Sequence, residues 1–522
     1  MERPPRAPAR RFVLFALVAL GLGAALVALR PRSTPSRPGA RSEAEPALAT
    51  LAGPSSVEQR LPPLADDLEV LLVGGGAEPE SAGVQLEQDI AHARATFGGP
   101  TLVLFGGGPS VLSVRESAPE PEAGDALFGR LAEVFDPRPR GARYRPTTLA
   151  PDAPATAELV REAFARLLGR PGAPLLVYVA AHGEQGESPN QNTLVLWGST
   201  VLGPEDLATI LVDPATVRPS RLVMTSCFGG GFADAVFDPR AVEGTPVAGD
   251  HCGLFATDWD HVASGCDTDP VRSRQEGYAL HALAALRGRD REGRVLPRSS
   301  LDLDGDGSIG LLDAHTHARI ASRSFDLPIT TSENYLRFWA EENDIDDHGE
   351  TGLADPHEDA VVAVLGEELD AHDVRIAEAV RDRLRDEAAD ADGALAEVEA
   401  LRDESFYGIR IELLERFPIL DDPWHPEFQA TLAANRRAIE TILARSPNAV
   451  AYAEAERRVT ELGAEVDAVR IRLARAERLV AAYHHRARAA AMRRSDPSAF
   501  ARYEAMRRCE RWAPPLRPEQ AR

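Results

Sequence analysis

The sequence predicts an α/β fold with a mostly parallel sheet, followed by an all-helical region. Short apolar runs alternate with amphipathic stretches over the first two thirds of the chain, and from about residue 350 the composition changes to long runs of Ala, Glu, Arg and Leu. Alternating strands and helices are typical of a parallel sheet that is covered by helices on both faces. Functional groups are then expected at the carboxyl ends of the strands.

An apolar segment precedes the predicted domain. Phe12–Leu29 contains 18 uncharged apolar residues and follows four arginines. This length is about the minimum for a bilayer-spanning helix and exceeds the apolar core of a cleaved signal peptide. We therefore expect residues 1–30 to be a membrane anchor or signal segment, and residues 31–63, rich in Pro, Ser and Arg, to be a flexible tether. The body is then exported, either membrane-anchored in the periplasm or at the cell surface, or secreted after cleavage.

The predicted α/β domain spans residues 64–345. Apolar runs rich in Leu and β-branched residues predict its strands, and amphipathic stretches between them predict its helices. The predicted strands are Leu68–Val73, Thr101–Phe105, Leu175–Ala180, Leu222–Thr225 and Leu254–Thr257. The predicted helices are Gln85–Phe97, Ala157–Leu168 and Gly277–Leu286.

The helical region, residues 350–512, contains a heptad pattern and is followed by a tail, residues 513–522. Ten apolar residues from Tyr452 to Tyr483 follow one another at alternating spacings of three and four. This spacing is typical of a coiled coil. A second helical run, roughly Pro356–Leu401, is a candidate partner. The two runs form either a hairpin packed on itself or an intermolecular coiled coil through which the protein self-associates.

The composition excludes several classes of protein. The 522-residue chain contains no lysine, whereas a Walker phosphate-binding loop and a Schiff-base or pyridoxal enzyme each need a lysine amine. The formal net charge is −23. Residues 1–41 carry eight arginines and one glutamate, or +7, which leaves −30 for the remainder. This excess of negative charge argues against a nucleic-acid partner, because a protein that binds nucleic acid needs a basic surface to neutralise the phosphates.

Two of the apolar strands end in reactive side chains. The first leads into His182-Gly183, and the second leads into Cys227 and three glycines, which predict a tight turn that opens a helix. If the strands are neighbours, the imidazole and the thiol face a common cleft. A nearby imidazole or helix N-terminus favours the nucleophilic thiolate. A free cysteine alone is commonly buried and inert, but the joint pattern favours acyl transfer.

Four stretches of the chain carry a resemblance to a known family. They are LEVLLVGGGAEPESAGVQLEQDI, VYVAAHGEQG, VMTSCFGGGFADAV and, more weakly, LFATDWDHVASGCDTD. Over about residues 66–340 the chain resembles the caspase and legumain superfamily of cysteine peptidases, and most closely its legumain-like bacterial members. The resemblance implies a caspase-like three-layer sandwich and cysteine-type endopeptidase activity on a peptide or protein substrate. It also implies Cys227 as nucleophile, His182 as general acid, and the N–H groups of Gly183 and Cys227 as oxyanion hole.

The resemblance also indicates where the substrate pocket lies and where the chain departs from the family. Residues expected at the pocket are Ser226, Thr257, Asp258 and Trp259. Legumains orient the histidine with an asparagine, where this chain has Ala82 or Gly83, so the sequence leaves open whether a third catalytic residue exists. The Arg-His pair that helps legumain to select asparagine is missing around Val84–Leu86. Acidic residues would instead favour a basic P1 side chain, or else have surface roles; they are Asp258, Asp267 and Asp269.

An alternative function follows from these departures. The chain is then a catalytically inactive, peptidase-like scaffold or peptide-binding protein that recruits partners through the coiled coil.

The pairing of the cysteines is also open from the sequence. Cys252 and Cys266, which flank the fourth stretch, form either a disulfide or two independent thiols, and Cys509 has no visible partner.

A separate motif fits the twelve-residue calcium loop of EF-hands. Oxygen-bearing residues occur at positions 1, 3, 5, 7 and 12, with a glycine at position 6, and hard oxygen ligands suit a calcium ion. The residues, in order, are Asp302, Asp304, Asp306, Ser308, Asp313 and the glycine Gly307. We expect a structural calcium ion, the alternative being an acidic turn. No cofactor is expected for catalysis.

Overall fold

The structure is a computed structural model that describes residues 60–119, 124–137, 141–241, 245–345 and 352–517. The expected anchor at Phe12–Leu29 and most of the expected tether lie outside these residues. Among the described helices, none combines the length and apolar character that a bilayer span requires.

The predicted strands form the centre of an eight-stranded mixed sheet. Its main path has the order β10-β9-β8-β5-β1-β2, in which β10 is antiparallel to β9 and the other pairs are parallel. A β6-β7 hairpin extends from the end of β5, and β3 pairs with β4 separately. The strands are β1 Val70–Gly75, β2 Thr101–Phe105, β3 Leu112–Ser117, β4 Ala142–Pro146, β5 Leu175–Glu184, β6 Thr193–Leu196, β7 Thr200–Leu202, β8 Ser220–Met224, β9 His251–Phe255 and β10 Ile329–Thr330.

The described residues also form twelve α-helices, including the three predicted for the α/β part. Those of the α/β part are α1 Val84–Thr96, α2 Ala126–Phe135, α3 Ala157–Leu168, α4 Pro204–Leu211, α5 Tyr278–Arg287, α6 Leu311–Ala321 and α7 Thr331–Glu342. Those that follow are α8 Pro356–Leu369, α9 Val374–Arg416, α10 Phe428–Arg445, α11 Pro447–Ser495 and α12 Pro497–Glu510.

Helices cover the two faces of the sheet, as the alternation of elements predicts. Successive side chains of a strand point to opposite faces. Leu71 and Val73 of β1 accordingly pack in a core with α3 and α4. Val70 and Leu72 pack in a second core with α1, α5 and α6. Because both faces are buried, the central strands are continuously apolar rather than alternating.

The heptad seam of α11 has its partner within the chain. Charged side chains of α9 and α11 pair along the two helices, as in Arg385–Glu477 at 3.1 Å and Arg402–Glu456 at 3.8 Å. Residue numbers rise along α9 as the partner numbers fall along α11, so the helices are antiparallel. Leu462 of the seam is buried.

Two buried arginines of α11 bind the α/β part through backbone carbonyl groups. The Arg475 guanidinium donates to the carbonyl oxygens of Ile320 and Ser322 at 2.8 and 3.1 Å. Arg478 donates to the carbonyl oxygens of Ser324 and Asp326, both at 2.8 Å. The described residues of the helical region and of the α/β part accordingly belong to one compact unit.

A disulfide joins the same two parts of the chain. Cys252 of β9 is bonded to Cys509 of α12, with their Cα atoms 6.0 Å apart. Both sequence-based alternatives for Cys252, a bond to Cys266 and a free thiol, are therefore wrong. The reason is that α12 packs against β9, which a sequence separation of 257 residues does not reveal. Cys227 and Cys266 are the free thiols.

Candidate active site

His182 lies near the end of β5, and Cys227 follows the end of the neighbouring strand β8 by three residues. The parallel β5–β8 register pairs Leu175 with Ser220 and Val179 with Met224. This constant offset of 45 residues is also the offset between His182 and Cys227. The structure therefore brings the two residues together at the carboxyl edge of the sheet, where their strands end.

The turn after Cys227 uses its glycines for close packing. Phe228 adopts a left-handed conformation and is followed by a 3-10 helix, Gly229–Val236, rather than the expected start of an α-helix. A β-carbon on Gly230 would lie 2.8 Å from the backbone of Asp258. The N–H groups of the three glycines donate to backbone carbonyl oxygens at 2.9–3.2 Å. These N–H groups are thus committed to the turn, and none is left to attract an anion.

A backbone carbonyl group orients the His182 ring. Nε2 of His182 makes a short hydrogen bond to the carbonyl oxygen of Ser81, which ends a 3-10 turn after β1. Because a carbonyl oxygen only accepts, Nε2 carries the proton and Nδ1 has the free lone pair. Ser81 directly precedes the position where legumains were expected to supply an asparagine. Sequence reasoning missed this contact, since a main-chain carbonyl leaves no signal in the residue type.

The second ring nitrogen of His182 faces Cys266 instead of Cys227. Nδ1 lies 3.5 Å from the Cys266 sulfur. The Cys227 sulfur contacts the backbone of Ala263, accepting from its N–H at 3.3 Å and donating to its carbonyl oxygen at 3.5 Å. Within the described residues, no hydrogen bond joins His182 to Cys227. Burial raises the pKa of the Cys227 thiol and the charge of Asp326 adds to this, although the Ala263 contact opposes it.

Ala263 and Cys266 belong to one segment, residues 261–269, which we call the strap. At one end the His261 carbonyl oxygen accepts from the N–H of Phe228 at 2.8 Å. At the other end, Asp267 and Gln85 exchange two hydrogen bonds at 3.1 Å. The strap thus crosses the carboxyl edge of the sheet from the Cys227 turn to α1, which brings Cys266 onto His182.

Buried Asp326 fixes the middle of the strap. Its carboxylate accepts from the N–H of Ser264 at 2.6 Å and from the N–H of Tyr278 at 2.8 Å. Burial raises the pKa of this carboxyl group, although these hydrogen bonds oppose the shift. Because Arg478 donates to the backbone of Asp326, α11 is linked to the strap through two consecutive hydrogen bonds. Burial lowers the pKa of Arg478 to about 10.

Asn192 joins three loops of the site. Its buried side chain donates to the carbonyl oxygens of Phe228 and Trp259 at 2.9 and 2.7 Å. Its amide oxygen accepts from the N–H of Gly186 at 2.9 Å. This residue holds the loops after His182, Cys227 and β9 together, although nothing in the sequence singles it out.

The expected pocket residues differ in exposure. Ser226 and Thr257 are buried, and the Ser226 hydroxyl has no hydrogen-bond partner among the described residues. The Asp258 carboxylate forms an ion pair with Arg337 of α7, so its charge is neutralised. Trp259 lines a cavity of about 700 Å³ together with Arg337 and Phe338.

The other two acidic candidates for a basic P1 preference lie in local turns. Asp269 pairs with Arg274 at 3.3 Å. The Asp267 side chain accepts from the N–H of Asp269 at 2.8 Å. Asp258 and Asp269 are therefore in ion pairs with arginines, whereas the Asp267 side chain is held by a backbone N–H group alone.

The acidic loop brings together part of the expected calcium ligand set. One carboxylate oxygen from each of Asp302, Asp304 and Asp306 lies within 4.8 Å of the others. A buried oxygen of Asp302 has no hydrogen-bond partner among the described residues, which fits a cation. The side chain of Asp313 instead accepts from the N–H groups of Leu303 and Gly310. The Ser308 hydroxyl donates to Asp306.

No protein-family model and no curated protein matches this chain. The site therefore has to be interpreted from its own geometry. That geometry is an imidazole with a fixed tautomer and two thiols, which lie at the carboxyl edge of a mostly parallel sheet.

Proposed function

We propose that the protein is a cysteine-type endopeptidase with Cys227 as nucleophile and His182 as general acid. The observation that carries this proposal is the position of the two residues at the carboxyl ends of the paired strands β5 and β8, where Gly183 packs against the Cys227 carbonyl group. The fixed His182 tautomer supports it, because an unprotonated Nδ1 can accept the proton of a thiol. The caspase-like arrangement and the substrate pocket at Trp259 are part of the same proposal.

In the proposed reaction, the Cys227 proton passes to His182 and the sulfur attacks the carbonyl carbon of the scissile peptide bond. The N–H groups of Gly183 and Cys227 stabilise the oxyanion. His182 then returns the proton to the leaving amine, and water hydrolyses the acyl-enzyme. Because Cys227 contacts Ala263 at rest, its side chain has to turn toward His182, and Cys266 has to leave Nδ1.

The proposed location is outside the cytoplasm. The Cys252–Cys509 disulfide supports it, because such bonds persist in oxidising compartments. In this proposal, residues 1–30 tether the protein to a membrane or direct its secretion. A calcium ion at the acidic loop would be structural.

Cleavage of a mixed peptide library tests the proposal. We expect the purified chain to cleave some of the peptides, and Cys227→Ala and His182→Ala each to lower the rate at least 100-fold. His372→Ala is the matched control, because His372 is exposed on the helical region. Cleavage that persists in Cys227→Ala, or no cleavage by the wild-type chain at any pH or calcium level, would contradict the proposal.

A second candidate is a peptide-binding scaffold without catalysis. It is favoured by one observation, that the strap contacts both His182 and Cys227 and no hydrogen bond joins them within the described residues. Calorimetric titration with the same peptides distinguishes the two functions. Binding without cleavage supports the scaffold, whereas turnover that depends on Cys227 excludes it.

A further inference from the structure

Cys266 is a second thiol at the site that the proposed reaction does not use. This residue is exposed, whereas Cys227 is partly buried. Its sulfur lies 3.5 Å from Nδ1 of His182, within reach of a hydrogen bond from the thiol. The Ser81 carbonyl oxygen holds the proton of the ring on Nε2, so Nδ1 is the basic atom and faces this thiol.

We infer that Cys266 is a modification site for small disulfides, with His182 as the base that activates its thiol. The inference deepens the proposed function and assigns it a regulatory thiol. Accessibility and a neighbouring base are the two conditions that distinguish a reactive cysteine from an inert one. In the resting arrangement Cys266 is exposed and adjoins this base, whereas Cys227 is packed against the backbone of Ala263. Desolvation by the surrounding residues raises the pKa of the Cys266 thiol to about 12, so the activation has to come from His182.

The chemical step is a thiol–disulfide exchange. The Cys266 thiol gives its proton to Nδ1 of His182, and the thiolate attacks one sulfur of the small disulfide. A new S–S bond forms to Cys266 while the S–S bond of the reagent breaks. The departing sulfur takes the proton from His182 and leaves as a thiol. Cys266 is thereby oxidised to a mixed disulfide, and half of the reagent is reduced.

The mixed disulfide would block the site. The added group is attached to a sulfur that contacts the His182 ring, where a scissile bond has to approach. Peptidase activity is then lost until a reductant removes the group. The structural disulfide is unaffected, because Cys252 and Cys509 are bonded to each other elsewhere, between β9 and α12.

Mass spectrometry of the full chain treated with oxidised glutathione tests the inference. Trypsin separates the Cys227 peptide from Cys266, and chymotrypsin cuts after Trp259 to separate Cys266 from Cys252. At pH 7 we expect Cys266 to be glutathionylated at least 10-fold faster than Cys227. His182→Gln should lower the Cys266 rate at least 10-fold, and the exposed matched variant His372→Gln should leave it unchanged. Equal or faster modification of Cys227, or no effect of His182→Gln, would overturn the inference.

A pH series on the wild-type chain keeps the test independent of how the variants fold. An unassisted thiol reacts about 100-fold faster at pH 8 than at pH 6, because its thiolate fraction rises with pH. Assistance by His182 should hold the increase at Cys266 below 10-fold, and a 100-fold increase would overturn the inference. The labelling needs no peptide substrate. A chain that modifies Cys266 but cleaves nothing would refute the proposed peptidase and leave the modification site standing.

Discussion

The α-carbon of Gly183 packs directly against the carbonyl group of Cys227. A β-carbon at position 183 would lie closer to the Cys227 carbonyl oxygen than two non-bonded atoms can approach. The close contact holds the ends of β5 and β8 together at the point where His182 and Cys227 emerge. Glycine is therefore required at this position for space, whatever part its N–H group takes in catalysis.

Gly183→Ala should displace the Cys227 turn and lower the stability of the fold. Overpacking of this kind costs about 1–3 kcal/mol, and we expect a loss in that range in urea denaturation. Peptide cleavage should be lost together with it. Gly463→Ala is the matched control, because Gly463 lies in α11 with open space around it and should be neutral or slightly stabilising. Equal effects of the two substitutions would contradict the assigned role.

Arg478→Met should loosen the strap from a distance. The variant removes hydrogen bonds from a buried guanidinium to backbone carbonyl oxygens, including that of Asp326, which in turn holds Ser264. We expect a loss of about 3 kcal/mol in unfolding free energy and faster amide hydrogen exchange at Ser264. Arg472→Met is the control, because Arg472 is half exposed on the same helix and should cost less than about 1 kcal/mol.

Removal of the disulfide should destabilise the whole fold. A cross-link between Cys252 and Cys509 closes a very long loop, and loss of such a bond typically costs about 2–5 kcal/mol. We expect the double variant Cys252→Ala/Cys509→Ala to show a loss in this range. Peptide mapping without reductant should recover Cys252 linked to Cys509 and two free thiols per chain. A Cys252–Cys266 peptide would contradict the structure.

Glu510 should make stability depend on pH. Burial raises the pKa of this carboxyl group to about 7, although Arg507 and the hydrogen bonds from Ser332 oppose the shift. Between pH 4.5 and 7 the folded state thus binds more protons at Glu510 than the unfolded state, so this group lowers stability as pH rises. The contribution is on the order of 3 kcal/mol.

Glu510→Gln should remove that part of the pH dependence and stabilise the protein at pH 7 relative to wild type. Thermal melts between pH 4.5 and 8 measure the effect. Glu504→Gln, at an exposed position of the same helix, is the control and should leave the profile unchanged. A wild-type stability that rises steadily over this pH range, with no difference in Glu510→Gln, would show that the group is not buried as described.

The acidic loop should bind one calcium ion weakly. Three carboxylates converge, but Asp313 is engaged with backbone N–H groups rather than with the cluster. We expect a dissociation constant on the order of 10⁻⁴ M or weaker in calorimetric titration. Asp304→Asn should abolish binding, and Asp290→Asn, in a separate exposed turn, should not. A submicromolar constant would require Asp313 to turn into the loop.

The sequence predicts the sheet and the positions of His182 and Cys227 at its carboxyl edge for a clear physical reason. Parallel strands that are buried on both faces are continuously apolar, so β1, β2, β5 and β8 are visible as runs. His182 and Cys227 each follow such a run, and the edge at which parallel strands end is common to both. The geometry of the site then requires only that the two strands be neighbours, which the structure provides.

The remaining parts of the site depend on loops, which carry no periodic pattern. Ser81 acts through its main chain, so its residue type is irrelevant to the contact. Cys266 reaches His182 because the strap is held at both ends and in the middle, by hydrogen bonds between distant segments. Cys509 pairs with a residue 257 positions earlier. None of these contacts is encoded by neighbouring residues.

The bond between Cys252 and Cys509 also sets an order of events during folding. Contacts between residues far apart in sequence form slowly, because a long loop has to close before they stabilise anything. A chain that emerges N-terminus first exposes β9 long before α12 exists to cover it. The sheet therefore reaches its final, protected form only after α12 has been synthesised. A nascent chain of this protein should accordingly depend on chaperones until α12 can pack against β9.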